Sequence, residues 1–388
     1  MRGRYGLAAY LTGATIARTG DELSGPALLL LGIGVDGSAA TGSALLAGLT
    51  ISAAAGGPLL GALLDRSPRP GRLLAWALLA YAGGLGAVLA LVEIPAAIPV
   101  AVAAGLLNPA LAGGWTAQLP NVRGETPLTR ASTLDAMTFT AASLVGPGLA
   151  GLVAAYAGAP AAVAVAITLV AAAFPAAWSL PAVEATPATP IRRQLADGFA
   201  VLFRNRTLLR ATATSTMSFV GIGVAIVCYP LLGAHRLGNP GIGALLLTVL
   251  AAASLVANAV LARRPPPPDR TVLASTVLLG ASFLLAASGH DMVTLLAAAV
   301  LAGFAEGPQL SALFAIRHRE APTRVRAQVF TTAASVKITG LAAGAALAGP
   351  LSALSVTAAL SAAAGCQLLA AATFVLVRAR TPSPARVA

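Results

Sequence analysis

Charge is what this sequence has least of. Asp, Glu, Lys and Arg make up 10% of its 388 residues, against about 25% in a soluble domain. So few charges cannot clothe a globule in water, and a soluble enzyme is excluded. A hydrophobic share of 57% excludes a disordered chain as well. Cysteine is nearly missing. Cys228 and Cys366 both lie inside apolar runs, which excludes a disulfide scaffold or a thiolate metal centre and leaves packing as their role. The three histidines, His235, His290 and His318, fall at run ends with no partner at ligand spacing and read as interfacial. No H-E-x-x-H pattern, no nucleophile with a matching base and no glycine-rich phosphate loop with lysine occurs. A membrane-embedded enzyme and an ATP-driven pump therefore lack their machinery, and no cofactor or metal is called for. Aromatics are scarce too, at 5%, whereas alanine, leucine, valine and 40 glycines are abundant and the mean hydropathy is +0.83. Small residues let helices approach closely in a bilayer. The composition is that of a polytopic membrane protein.

A helix needs about 20 apolar residues to cross the hydrocarbon core. Twelve such runs are present, near 7–34, 41–64, 72–92, 95–118, 131–156, 159–180, 208–232, 241–262, 271–288, 292–315, 328–349 and 352–376. Arg2 and Arg4 precede a run that continues past Asp21 to Val35, so the N-terminus reads as a first span rather than a cleaved signal. Prolines 26, 58, 109, 147, 230 and 308 fall inside runs, where neighbouring helices can re-satisfy the freed carbonyls. Basic residues cluster in alternate connections, and only Arg18, Arg236 and Lys337 of the 25 lie elsewhere. By the positive-inside rule both termini are cytoplasmic and the number of spans is even. The formal net charge of +12 is thus a topology signal, with the lipid bilayer and not nucleic acid as the partner. A multi-pass plasma (inner) membrane protein, acting as a monomer, is expected.

The longest polar break, about residues 182–206, divides six runs in 1–181 from six in 207–388. It begins as a linker and continues as IRRQLADGFAVLFR, with Ile191, Leu195, Phe199 and Leu202 at helical spacing. That pattern predicts an amphipathic helix on the cytoplasmic surface, tethering two halves. The halves resemble each other at an offset of about 198. Arg66-Ser-Pro-Arg-Pro-Gly-Arg72 matches Arg264-Pro-Pro-Pro-Pro-Asp-Arg270, and Gly105 matches Gly303. The fold expected is all-α, twelve transmembrane helices in two pseudo-symmetric six-helix bundles, with a substrate site between them.

Gly61-Ala-Leu-Leu-Asp65-Arg66…Gly71-Arg72, in the second connection, resembles the signature loop G-x-x-x-D-R-x-G-R-R of the major facilitator superfamily, with Pro68 where the second glycine is usual. Gly146-Pro147-Gly148-Leu149-Ala150-Gly151 is similar to the G-P-x-x-G-G motif of proton-driven exporters, Ala150 replacing a glycine. The segments GATIARTGDELSGPALLL, LTRASTLDAMTFTAASLVGPGLAG and QLADGFAVLFRNRTLLRA resemble the multidrug, macrolide and enterobactin exporters of that superfamily. The resemblance implies a secondary transporter that works by alternating access, coupled to protons and exporting a small amphiphilic molecule. An uptake symporter or uniporter of the same fold, and a non-transporting membrane sensor, remain as alternatives.

Ionisable groups inside a membrane are expensive, and each is a functional candidate. Span one carries Arg18, Asp21 and Glu22, whereas the equivalent positions of span seven are Thr216, Phe219 and Val220. Arg18 precedes Asp21 by three residues and Glu22 by four, so one helix can hold its own ion pair. Asp21 or Glu22 is the candidate proton carrier. Glu306 precedes Arg317 by 11 residues, and Lys337, the single lysine, follows Arg326 by 11. Both then lie about 16 Å along their helices from the cytoplasmic end, and a Glu306–Lys337 ion pair facing the cavity is expected. Asp135 stands five residues past Arg130, which places it near the interface as a snorkelling or gating group. Asn108 and Gln309 can bind either substrate or neighbouring helices.

Overall fold

The computed structural model describes residues 6–36, 39–183, 190–238 and 240–377. Every regular element among them is helical. The first half comprises α1 (Leu7–Asp36), α2 (Ala39–Ile51), α3 (Ala53–Arg66), α4 (Pro70–Leu91), α5 (Ala97–Gly105), α6 (Leu119–Val122), α7 (Leu128–Ala157), α8 (Ala159–Ala172) and α9 (Phe174–Trp178). After α10 (Ile191–Arg204) come α11 (Arg206–Leu237), α12 (Pro240–Leu261), α13 (Pro268–Ser288), α14 (Met292–Glu320), α15 (Arg326–Leu354) and α16 (Val356–Leu376).

Among the described residues, ten helices are long and apolar enough to cross a membrane. The first run, α1, stands outside that group because Arg18, Asp21 and Glu22 sit near its middle. In α12 the described apolar stretch is Leu245–Leu261. Three runs are broken helices; 159–180 divides at Ala173 into α8 and α9, and two more are interrupted. One bends between α2 and α3 at Ser52, whose hydroxyl bonds back to Gly48 O at 3.1 Å. The other breaks after α5 and resumes as a π turn at Ala110–Gly114. Proline 109 therefore lies in the first turn after the break at Leu106–Leu107, just ahead of the π turn. By contrast, α15 runs through Pro350 to Leu354, beyond the limit expected from the apolar run.

Small residues set the packing. One large apolar cluster joins α1, α4, α5, α7 and α8 around Tyr10, Leu28, Leu78, Tyr81, Trp115 and Val170, and takes in Leu310, Phe314 and Phe330 from the second half. Another gathers around Phe219, Tyr229, Phe283, Leu295 and Leu360. Cys228 is buried and Cys366 half-buried, both free.

The helix α10 forms, with a different face inward from the apolar stripe. Gln194, Gly198 and Leu202 are buried, while Phe199 and Phe203 are exposed. Gln194 Nε2 donates to Arg324 O at 2.9 Å, and Gln328 Nε2 donates to Leu195 O at 3.0 Å. The helix thus lies against α15 through polar bonds and turns its phenyl rings outward. Residues 184–189 of the expected linker, with Arg2, Arg4, Arg378, Arg380 and Arg386, lie outside the described residues. His318 is buried, 4% exposed, rather than interfacial, because α14 continues past it to Glu320.

Candidate functional site

The interior charges fall into three groups. In the first, Arg18 donates from Nη1 to Asp135 Oδ1 at 2.9 Å and from Nη2 to Thr116 Oγ1 at 2.9 Å. Tyr10 OH donates to Asp135 Oδ1 and Thr116 Oγ1 to Asp135 Oδ2, both at 2.8 Å. Thr138 Oγ1 also receives a bond from Arg18, and the guanidinium lies 3.6 Å from the Phe139 ring centroid. Arg18 is 2% exposed and Asp135 0%. These bonds hold the buried pair, although Arg18 Nε has no hydrogen-bond partner among the described residues.

Two expectations are corrected here. Arg18 forms no ion pair with Asp21 or Glu22 among the described residues. Helical side chains lean toward the N-terminus, so the guanidinium swings back along α1, away from the two acids that follow it. The same lean brings it to Asp135, which is enclosed between α1 and α7 and does not snorkel. Tyr10, Thr116 and Thr138 were not legible as its partners, since the three segments that carry this group meet only through tertiary packing.

Asp21 forms the second group, and its partners are neutral. Tyr81 OH donates to Asp21 Oδ1 at 2.8 Å, and Asn108 Nδ2 donates to the same oxygen at 2.6 Å. Asn108 stands just after the break at Leu106–Leu107, beside Pro109. Glu22, one residue on and facing α7, accepts from Ser143 Oγ at 3.0 Å. Gly146 of the glycine–proline motif makes this approach possible. A Cβ there would lie 2.7 Å from Glu22 Cβ. Gly151 faces open space and packs on nothing, so only the first glycine of the motif, followed by the in-helix Pro147, serves helix packing.

The third group lies in α14 and α15. Glu306 and Lys337 do not form the expected ion pair, and Glu306 has no hydrogen-bond partner among the described residues. The Lys337 ammonium instead lies 4.6 Å from the Phe219 ring centroid and 5.7 Å from that of Phe139. Consecutive helices are not neighbours here: α15 packs on α3 and α11, whereas α14 packs on α7, α12 and α13. Gln309 is 1% exposed and bonds Thr276 Oγ1 at 2.7 Å and Ser218, which makes it a helix-to-helix link. Arg317, counted among the loop arginines, is 2% exposed. Eleven residues are close to three helical turns, so Arg317 lies on the same face of α14 as Glu306, a spacing that could have revealed it.

The two halves meet at the basic end. Asp65 accepts from Ala327 N and Gln328 N, each at 2.8 Å. Its carboxylate caps the first turn of α15, where unpaired amides and the helix dipole favour a negative charge. A Cβ on Gly61 would run into Thr331 Oγ1 and Gln328 Cα. Deeper in, Ser335 Oγ donates to Ala53 O at 2.5 Å, and Thr140 and Ser254 hydroxyls lie 3.4 Å apart. Phe314 bridges the interface, with its ring 5.5 Å from Phe139 and 6.0 Å from Phe330. Arg66 ends α3. Gly71 lies against Ala177 and Leu180, and the Arg72 guanidinium lies 4.9 Å from the Trp178 ring, fastening α4 to α9.

Residues 10–267 match the profile of the Major Facilitator Superfamily. The chain belongs to that family. As a major facilitator it is an integral membrane transporter of small molecules and not an enzyme. Solved structures share the fold over nearly the whole chain. The human organic anion transporter TETRAN has a TM-score of 0.76 at 19% identity, covering 97% of this chain and 99% of that one. A bacterial homologue of the iron transporter ferroportin, in an outward-facing state, has a TM-score of 0.78 at 14% identity, covering 96% and 98%. The E. coli fucose:proton symporter has a TM-score of 0.75 at 14% identity, with the same coverage. No curated protein matches the sequence.

Proposed function

We propose that this major facilitator is a proton-coupled exporter of a small amphiphilic molecule in the plasma membrane, acting as a monomer. On this reading α1 and α12 complete a set of twelve spans, arranged as two six-helix bundles (1–181 and 207–388) joined by the 182–206 segment. Both termini are cytoplasmic. The basic end sealed by Asp65 and Gly61 is then the cytoplasmic gate, and the conformation faces outward. The bundles rock about the central charges to expose them to each side in turn.

The observation that carries the reading is Asp21. It is a carboxylate in the interior of a membrane protein, held by Tyr81 and Asn108 with no cation within ion-pair distance among the described residues. Arg18, which could have neutralised it, is committed to Asp135. Taking up a proton removes the charge before the carboxylate is enclosed, and releasing it on the other side restores the charge. Glu22, beside it in α1, is available for the same exchange. The chain as a whole has few Asn, Gln and aromatic side chains of the kind that hold sugars, which suits an amphiphilic cargo. A fucose:proton symporter has the same fold, and import is the competing direction. Whole cells expressing the protein should keep out members of a compound panel, and a protonophore should abolish that protection. Accumulation driven inward by the proton gradient contradicts export.

A further inference from the structure

Two cations line one cleft where the halves meet, and no carboxylate lies within ion-pair distance of either among the described residues. In this conformation the cleft leaves about 10 Å³ clear, room for about one water, so an organic anion enters only as the halves part. Thr116 and Phe139 line it from the first half, and Phe314, Arg317, Phe330 and Lys337 from the second. Arg317 is 2% exposed, yet its Nε and Nη2 have no hydrogen-bond partner. A guanidinium with unpaired donors is costly to bury, and native interiors rarely leave such donors empty. Lys337 Nζ touches only ring faces, at 4.6 and 5.7 Å from the centroids of Phe219 and Phe139. Arg18 is nearby but already neutralised by Asp135. Glu22 and Glu306 act on Lys337 through space without bonding it.

We propose that this cleft binds the carboxylate of an amphiphilic organic anion. The planar fork of Arg317 offers two parallel donors to a carboxylate, and Lys337 adds a point charge. Phe139, Phe314 and Phe330 present ring surface to an apolar or aromatic body. A free inorganic anion would satisfy the two cations but has no use for three phenyl rings. As the identity of the cargo, the inference rests on the export reading; as a binding site, it stands apart from it.

The test is binding to the purified full-length protein in detergent, read by thermal shift and titration calorimetry at constant ionic strength. The probes are 2-naphthoate, its neutral analogue 2-naphthamide, and chloride. The expected result is stabilisation by 2-naphthoate alone, with affinity at least tenfold weaker in Lys337→Gln and in Arg317→Gln. Arg317→Lys keeps the charge without the fork and should fall between, which guards against a folding defect in the glutamine variant. No response to 2-naphthoate at millimolar concentration overturns the proposal, as does equal binding of 2-naphthamide or unchanged affinity in Lys337→Gln. Chloride acting as strongly as 2-naphthoate would make this a bare inorganic-anion site and overturn it too. A protein that binds 2-naphthoate but exports nothing refutes the proposed function and keeps this site. Export without anion binding does the reverse.

Discussion

At the scale of single residues, what distinguishes the interior charges is which of them are answered. Arg18 and Asp135 answer each other, with Tyr10, Thr116 and Thr138 adding further bonds. Removing one partner of such a pair strands a buried charge, a loss of about 3–5 kcal/mol. Asp135→Ala and Arg18→Met should each lower stability by that order in thermal unfolding. The double variant should cost less than the sum of the two, because it strands no charge. Additive losses would show that the pair does not act as a unit. The candidates Arg18, Asp21, Glu22, Glu306 and Lys337 stood out in sequence because charge is rare in apolar runs. Their partners did not, because pairing depends on side-chain lean and on which helices are neighbours. Arg317 was masked by the arginines that follow it.

At the scale of elements, the helices were legible where one apolar run became one helix, as in α4, α11 and α13. The face of α10 was not. Periodicity marks an apolar stripe but cannot say that Gln194 and Gly198 will meet α15 through backbone carbonyls and the Gln328 side chain. The α15 N-terminus is the most consequential element, since its first-turn amides are capped from the other half by Asp65. Asp65→Ala leaves both amides without that acceptor, a loss of about 1–2 kcal/mol on the cap scale, felt only while the basic end is closed. Since about 1.4 kcal/mol is tenfold in an equilibrium, opening at that end should rise several-fold to tenfold or more. Gly61→Val should act in the same direction by steric means. In a Cys228→Ala/Cys366→Ala background, a Ser335→Cys reporter should react faster with maleimide in both variants. Unchanged reactivity would contradict the gate assignment.

At the scale of the whole molecule, the account makes the sparse charges do two jobs. Most arginines set the orientation, and the few interior groups set the chemistry. If the basic end is cytoplasmic, a membrane-impermeant maleimide should label His290→Cys in intact cells of the same cysteine-free background. It should label Arg69→Cys only after permeabilisation; both native side chains are exposed. The reverse pattern would invert the protein in the membrane. The central claim is that Asp21 carries the coupled proton. Its most direct test is transport into proteoliposomes of a compound found by the efflux panel, comparing the native protein with Asp21→Asn. The account predicts that Asp21→Asn loses substrate movement driven by an imposed pH gradient but still exchanges labelled for unlabelled substrate without one. Full pH-gradient-driven transport by Asp21→Asn would contradict it.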